Sequence, residues 1–317
     1  MPFAVSSSLA SLLYVLFLPG FLTAGGLFVE FVDRKLYARL QHRVGPPWYQ
    51  PLADSIKLLT KEEIVPEDAD RFVFRAVPIV ALTAAVTAFF YVPLWGTQAL
   101  HGFEGDAIVV LYLLTIPTLC FFLGGWFSTS LFATIGSVRT LTSLFAYEVP
   151  LFMAVLSPAL LAGSWSLSGI AAYYDAHPWR AFANLLGFAV AIVALLGKLE
   201  KAPFDIPEAE TELAGGTFTE YSGKLLAIFK MTIQVEAVVA GCVLSAVFLP
   251  WGLSLPWPVA WALTGVKVLF IVFVMALART VFTRMRMEQM VDFCWRWVAP
   301  AALLQLLIAV VLNGVLP

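Results

Sequence analysis

The sequence contains little charge, and what it has is almost balanced. Charged residues occupy 13% of the 317 positions and hydrophobic residues 61%, whereas a soluble domain has about 25% charged and about 45–50% apolar residues. This composition excludes a water-soluble globular protein. The formal net charge of −2 gives no basic surface for nucleic acid, so no nucleic-acid partner is expected.

Cysteine and histidine are also scarce. The three cysteines, Cys120, Cys242 and Cys294, lie far apart and form no CxxC spacing. This pattern excludes a disulfide framework, a zinc site or an iron–sulfur cluster built by this chain alone. The three histidines are equally scattered. We therefore expect no metal site and no redox cofactor in the chain itself.

What the sequence has instead is a series of long apolar runs. A membrane-spanning helix needs about 20 predominantly apolar residues, and a closed helix satisfies its own backbone polar groups in lipid. We predict an all-α polytopic membrane protein, one membrane domain with about eight transmembrane helices, an amphipathic surface helix and acidic cytoplasmic loops. The predicted spans are 9–31, 72–95, 107–133, 141–163, 180–197, 224–249, 258–282 and 296–315.

The distribution of lysine and arginine predicts the orientation. Most of these cations lie in the segments that follow odd-numbered spans, while the segments 96–106 and 250–257 contain none; Arg180 is the exception. By the positive-inside rule, both termini then face outward and the charged loops face the cytoplasm. The predicted location is the cell membrane.

The segment 33–71 contains an amphipathic stretch. Within 51–61, Leu52, Ile56 and Leu59 share one helical face, which is typical of a helix that lies on the membrane surface or beneath a partner. A solvated connecting helix is the alternative. We favour a docking surface.

The segment 198–223 is rich in carboxylates. In a helix capped by Asp205, the side chains of Glu208 and Glu212 share its face, Glu210 points elsewhere, and Glu220 follows after Gly215–Gly216. One acid would be enough to complement the helix dipole. Several clustered carboxylates have pKa values that spread through mutual repulsion, as a proton relay requires.

Three ionisable residues fall within predicted spans, where charge is costly. Glu148 precedes the helix-kinking Pro150. Glu236 and Lys267 lie near the midpoints of consecutive spans, so we predict that they meet as a charge pair. Such a pair is either a structural couple or a proton-gating switch.

At this point, the motifs resemble those of the respiratory complex I membrane subunit 1/H family. Four cytoplasmic segments carry the resemblance in the family's order, and it covers nearly the whole chain. The matching residues are Asp33-Arg34-Lys35 with Gln41-His42-Arg43-Val44-Gly45-Pro46; Leu52 to Glu62, including Asp54 and Lys57; Ser137-Val138-Arg139 with Tyr147-Glu148; Ala202-Pro203-Phe204-Asp205 through Glu220-Tyr221; and Arg284-Met285-Arg286 with Glu288-Gln289-Met290.

Two departures indicate a particular branch of that family. The stretch Gly45-Pro46-Pro47-Trp48-Tyr49-Gln50-Pro51 is shorter than in quinone-reducing members, and Lys198-Leu199-Glu200-Lys201 stands where those members have E-T-N-R. This shorter sequence more closely resembles the membrane anchor of energy-converting (group 4) membrane-bound NiFe hydrogenases.

The resemblance implies an ion-translocating anchor within a multi-subunit oxidoreductase. Hydrogenase-like large and small hydrophilic subunits, with iron–sulfur clusters and a NiFe site, would dock on 33–71 and 198–223. Protonation changes would pass through Glu148 toward antiporter-like membrane subunits in the lipid. Two alternatives remain open: a quinone-chamber subunit of NADH-quinone oxidoreductase (complex I), and a free-standing secondary transporter.

Overall fold

The computed structural model describes residues 7–94, 98–207 and 213–315, with the side chains of 7–16, 257 and 315 left out. Throughout these ranges the regular structure is helical, and no strand occurs. The helices are α1 (Ser7–Leu40), α2 (Gln50–Thr60), α3 (Arg71–Phe89), α4 (Asp106–Trp126), α5 (Leu131–Ala162), α6 (Leu167–Ala176), α7 (Leu185–Lys198), α8 (Gly223–Phe248), α9 (Trp257–Val281), α10 (Met287–Phe293) and α11 (Ala299–Val315). A 3₁₀ segment, Pro178–Asn184, leads into α7, and a π-helical turn, Cys294–Val298, joins α10 to α11.

Seven helical segments in the described ranges are long and apolar enough to cross a membrane: Arg71–Phe89, Asp106–Trp126, Leu131–Ala162, Pro178–Lys198, Gly223–Phe248, Pro258–Val281 and Met287–Gly314. They correspond to the second through eighth predicted spans, and the predicted all-helical membrane fold is confirmed. The first predicted span, 9–31, lies within α1. At 1.5 Å per residue, the 34 residues of α1 extend for about 51 Å, so its charged C-terminal turns reach beyond an apolar layer of about 30 Å.

Two helices begin well before the predicted spans. Helix α5 starts at Leu131 and not at 141, so Arg139 lies inside a helix and not in the predicted loop. Likewise the last span starts at Met287 and not at 296, because the π-helical turn continues the helix without a break. The predicted span 107–133 runs past the end of α4 at Trp126, because the apolar residues 131–133 at the start of α5 extend its apolar run. Charged residues between 287 and 296 concealed the start of the last span.

Close helix contacts hold the charged end of the bundle together. In lipid there is no hydrophobic driving force between apolar helix surfaces. Membrane helices therefore pack through small residues that let their backbones approach closely. A Cβ atom added to Gly26 of α1 would lie 2.9 Å from the backbone carbon of Gln234 in α8. Gly223 has φ +57°, and a Cβ there would lie 2.4 Å from the Glu62 carbonyl oxygen. These contacts join α1 and the 61–64 loop to α8.

Candidate functional site

A cleft of about 970 Å³ opens at one end of the bundle. Its walls come from the C-terminal turns of α1, from α2, from residues 199–205 after α7, from α8, and from the end of α9 with residues 282–284. The two segments that the sequence marked as docking loops, 33–71 and 198–223, therefore meet in one place.

The Asp33 carboxylate is the most tightly held group in this cleft. It is buried in α1, and its Oδ2 lies 2.7 Å from Lys201 Nζ and 2.7 Å from an Arg279 Nη of α9. Burial alone would raise the pKa of Asp33, but attraction and hydrogen bonds from the two cations outweigh it, so the net pKa lies below the usual 3.8. Arg279 is held in turn over the Tyr37 ring, 4.3 Å from its centroid. We call Asp33, Lys201 and Arg279 the charge bracket.

Several predicted motif residues surround the bracket. Arg34 Nη1 lies 3.2 Å from Asp54 Oδ2, which joins α1 to α2, and Arg34 also pairs with Glu30. At the opposite wall Arg284 Nη2 lies 2.5 Å from Asp205 Oδ2. Gln41 and Lys57 line the same cleft. The bound Asp205 carboxylate thus has a partner on the segment before α10.

Other predicted residues lie apart from the cleft wall or outside the described ranges. Lys35 donates to the Pro46 carbonyl at 3.4 Å, Arg43 is exposed, and the Arg286 backbone N–H donates to the Gln289 side chain. Glu220 is half-buried just before α8. Glu208, Glu210 and Glu212 lie outside the described residues.

Deeper in the bundle, Lys198 and Glu236 form a buried ion pair. Lys198 Nζ lies 3.0 Å from Glu236 Oε1 and donates to the Leu114 carbonyl at 2.6 Å. The exposed fraction of the two side chains is 1% and 0%, so water cannot screen either charge. The pair joins α7 to α8 and contacts the middle of α4. We call Lys198 and Glu236 the deep pair.

The predicted pair of Glu236 with Lys267 is wrong. Lys267 Nζ donates to the Trp251 carbonyl in the loop before α9, and the nearby carboxylate that attracts it is Asp175. The prediction rested on depth along the helices, which does not fix the direction in which a side chain points. Glu236 faces α7, whereas the long aliphatic stem of Lys267 carries its charge toward the opposite end of the bundle.

Glu148 and Tyr147 of α5 lie beside the deep pair. Thr115 donates to the Glu148 carboxylate, and Tyr147 donates to Thr118 Oγ1 at 3.2 Å. Glu148 repels Glu236 electrostatically, and Tyr147 lies within the field of Glu148, Glu236 and Glu200. Carboxylates from α5 and α8 and from the segment after α7 are therefore grouped around one buried tyrosine.

One short stretch of chain connects the two groups of charges. Lys198 belongs to the deep pair, Lys201 to the charge bracket, and the residues between them, Leu199 and Glu200, line the cleft. Glu200 is buried, with φ +49°. The turn after α7 thus reaches from the cleft to the middle of the bundle within four residues.

The sequence did not identify all of these groups as site residues. In the sequence, Lys198 and Lys201 stand out only as departures from a motif, and no motif assigns a role to Arg279 or Glu200. The signal available was positional, because a lysine at the end of an apolar run and an arginine in the last turn of a span both need a partner.

Within the described ranges, no three His, Cys, Asp or Glu side chains come together in a way that could hold a metal ion. The expectation that redox cofactors belong to partner subunits stays a prediction.

Comparisons with known proteins agree on one group of relatives. A family model described as NADH dehydrogenase matches residues 12–310. NADH-quinone oxidoreductase subunit 8 of Thermus thermophilus is 36% identical over 304 residues, covering 91% of this chain and 82% of that protein. An NADH-quinone oxidoreductase subunit from Carboxydothermus hydrogenoformans is 28% identical, covering 94% and 87%. Among solved structures, a chain of the membrane-bound sulfane sulfur reductase, an archaeal respiratory membrane complex, superposes with a TM-score of 0.85 at 28% identity, covering 94% of this chain and 99% of that one.

Proposed function

The chain belongs to the NADH dehydrogenase family and is a membrane subunit of a complex I-like respiratory complex; from this premise we propose that it relays protons between the cleft and the membrane interior. Redox chemistry in a docked hydrophilic arm would change the charge at the cleft. The buried carboxylates would then take up or release protons in response.

The observation that carries this proposal is the turn Lys198–Lys201. Its two lysines bind acids in two places, Asp33 at the cleft and Glu236 in the bundle. A proton that neutralises either acid weakens its hold on the lysine, since an ion pair needs both charges. The shared turn would pass that change to the other pair.

The route proposed from this geometry begins at the acids of the 198–223 segment. Asp205 and Glu220 belong to the described parts of this segment. We assign Glu208, Glu210 and Glu212 to the same relay. From there the route passes Glu200 and Tyr147 to Glu148 and Glu236. Glu148 is the member from which protons would continue toward neighbouring membrane subunits.

We assign the docking of hydrophilic subunits to the end of the bundle that carries the cleft, and we place this end in the cytoplasm with both termini outside. The apolar residues Leu52, Ile56 and Leu59 of α2 are all exposed in the isolated chain, while Pro51 and Ser55 on the other side are buried. An apolar face beside a charged cleft suits a partner or the membrane surface.

A second part of the proposal concerns the terminal electron acceptor of the complex. The compact 45–51 stretch and the two lysines favour a hydrogenase-like arm with iron–sulfur clusters and a NiFe site over a quinone-reducing one. A quinone substrate is the second candidate, because relatives are named NADH-quinone oxidoreductases and the cleft volume lies within the range of about 300–1,000 Å³ usual for small-molecule pockets. Against it, the carboxylate and the two cations of the charge bracket lie in this wall.

The relay is tested with the intact complex reconstituted into vesicles. Electron transfer and ion uptake are measured together for Glu148→Gln and for the control Asp292→Asn, which changes an exposed carboxylate that pairs with Arg296 and is not assigned to the relay. We expect Glu148→Gln to leave assembly intact and to lower coupled turnover by about 100-fold or more, the usual scale for loss of a proton-transfer group. The control should behave as wild type. Full coupling in Glu148→Gln would refute the relay.

The acceptor is tested on the same preparation. Hydrogen evolution without quinone reduction supports the hydrogenase-like arm. Quinone reduction that is blocked by quinone-site inhibitors supports the second candidate.

A further inference from the structure

Arg180 lies at the end of the bundle opposite the cleft. It belongs to the 3₁₀ segment before α7, and Lys198 lies 18 positions further along the same continuous helical segment. At 1.5 Å or more per residue this distance is about 27 Å, close to the thickness of the hydrocarbon layer. Arg180 is also the cation that departs from the positive-inside distribution.

The Arg180 guanidinium is held by aromatic groups. It donates to the Tyr173 hydroxyl, and its central carbon lies 5.6 Å from the Tyr173 ring centroid and 5.3 Å from that of Trp179. No carboxylate of the described residues forms an ion pair with it. Its Nε atom is buried and has no hydrogen-bond partner in the described structure. The Arg180 guanidinium is therefore fixed in place without a counter-charge among the described residues, and one of its N–H groups lacks an acceptor there. Buried polar groups normally have a partner, which indicates that a ligand completes this site.

A cavity of about 210 Å³ adjoins this cation. Leu161 of α5 and Leu312 of α11 form apolar walls, and Asn313 lies at the end of α11 beside Arg180. The surroundings face outward and are apolar, since Trp179, Phe182 and Leu185 have exposed fractions of 57%, 69% and 67%. Exposed tryptophan and phenylalanine beside a cation are typical of the interface between lipid tails and headgroups.

We propose that this cavity binds a phospholipid, with the headgroup phosphate on Arg180 and an acyl chain between Leu161 and Leu312. The guanidinium fork matches phosphate geometry and supplies charge-assisted hydrogen bonds. The phosphate supplies the counter-charge that Arg180 does not receive from a carboxylate of the described residues. The apolar walls select a lipid over a free anion, and the binding is independent of the proposed proton relay.

The test is native mass spectrometry of the intact complex, released from detergent in the presence of defined lipids. The variants are Arg180→Gln, Arg180→Lys and a matched control, Arg296→Gln, which removes an exposed cation that pairs with Asp292 at 2.6 Å. The probes are phosphatidylglycerol, a glycosyl diacylglycerol that lacks phosphate, and inorganic phosphate alone.

We expect the wild type and Arg296→Gln to retain one more phosphatidylglycerol than Arg180→Gln, with apparent affinity about tenfold weaker in that variant. Arg180→Lys should bind more weakly than wild type, because lysine keeps the charge and loses the fork. Equal retention by Arg180→Gln overturns the proposal.

Lipid chemistry gives a second readout that needs no variant. On the wild type, the glycosyl lipid should bind no better than background, and inorganic phosphate should not displace phosphatidylglycerol. Equal binding of the glycosyl lipid would show an apolar groove only, and displacement by phosphate would show a free-anion site. Either result overturns the proposal even if Arg180→Gln fails to assemble.

Discussion

The deep pair of Lys198 and Glu236 offers the sharpest prediction. Both side chains are almost completely excluded from solvent and lie 3.0 Å apart. Replacing Lys198 with methionine keeps the volume and removes the charge, which leaves the Glu236 carboxylate buried without its cation. Replacing Glu236 with leucine leaves the ammonium with the Leu114 carbonyl as its remaining partner.

The magnitude follows from the separation and the burial. At an effective dielectric constant of about 20, two unit charges 3.0 Å apart attract by about 5–6 kcal/mol before any desolvation cost. Removing one member of a buried pair costs about 3–5 kcal/mol, whereas replacing both members with apolar groups is often neutral or stabilising. We therefore expect each single variant to lose about 3 kcal/mol of stability, and Lys198→Met with Glu236→Leu to come within about 1 kcal/mol of the wild type.

The assay is a double-mutant cycle on the purified complex, with the free energy of unfolding measured in detergent and ion uptake measured in vesicles. The double variant should recover stability but not ion uptake, because neither of its two changed positions holds a group that can carry a proton. Singles that each lose less than about 1 kcal/mol and add without coupling would refute the ion pair. A double variant with full ion uptake would remove Glu236 from the relay.

Three further predictions concern the cleft end of the bundle. Because the pKa of Asp33 is lowered from 3.8, its ion pairs should contribute full stability above about pH 4 and lose it only as the pH falls through the folded-state pKa; thermal unfolding across about pH 6 to 3 checks this, and Asp33→Asn should flatten the profile. Gly223→Ala should destabilise the contact between α8 and the 61–64 loop by about 1–3 kcal/mol, because a Cβ would meet the Glu62 carbonyl at φ +57°; Gly265→Ala, in open space, is the control in the same melt. Lys201→Met should release Asp33 and raise its pKa, which an acid titration detects as an earlier loss of stability; an unchanged titration would contradict the charge bracket.

The sequence was sufficient for the architecture because lipid imposes a simple rule on it. Apolar runs must be helices, so the second through eighth spans could be recognised, and most of their ends were located within a few residues. It failed at the boundary between α4 and α5, where the apolar residues 131–133 extend the run past Trp126, and at Met287, where polar residues continue a helix beyond the apolar layer. Hydropathy measures which residues prefer lipid and does not report where a helix ends.

The site was only partly predictable for a different reason. Motif residues such as Arg34, Asp54 and Asp205 do surround one cleft, because loops on the same side of a bundle are brought together by its topology. Their partners could not be predicted, since pairing depends on the rotation of each helix about its axis. Glu236 and Lys267 lie at similar depths yet face different neighbours.

The two lysines that depart from the quinone-reducing motif have a common consequence for the mechanism. Each binds an acid on another helix, Lys198 at Glu236 and Lys201 at Asp33. Protonation of either acid would weaken its ion pair with a lysine, and both lysines belong to the same four-residue turn. In the proposed relay, this turn links a change of protonation at the cleft to one inside the bundle. A chain with a neutral side chain at position 198 or 201 is then expected to lose that link, even if every carboxylate of the relay is retained.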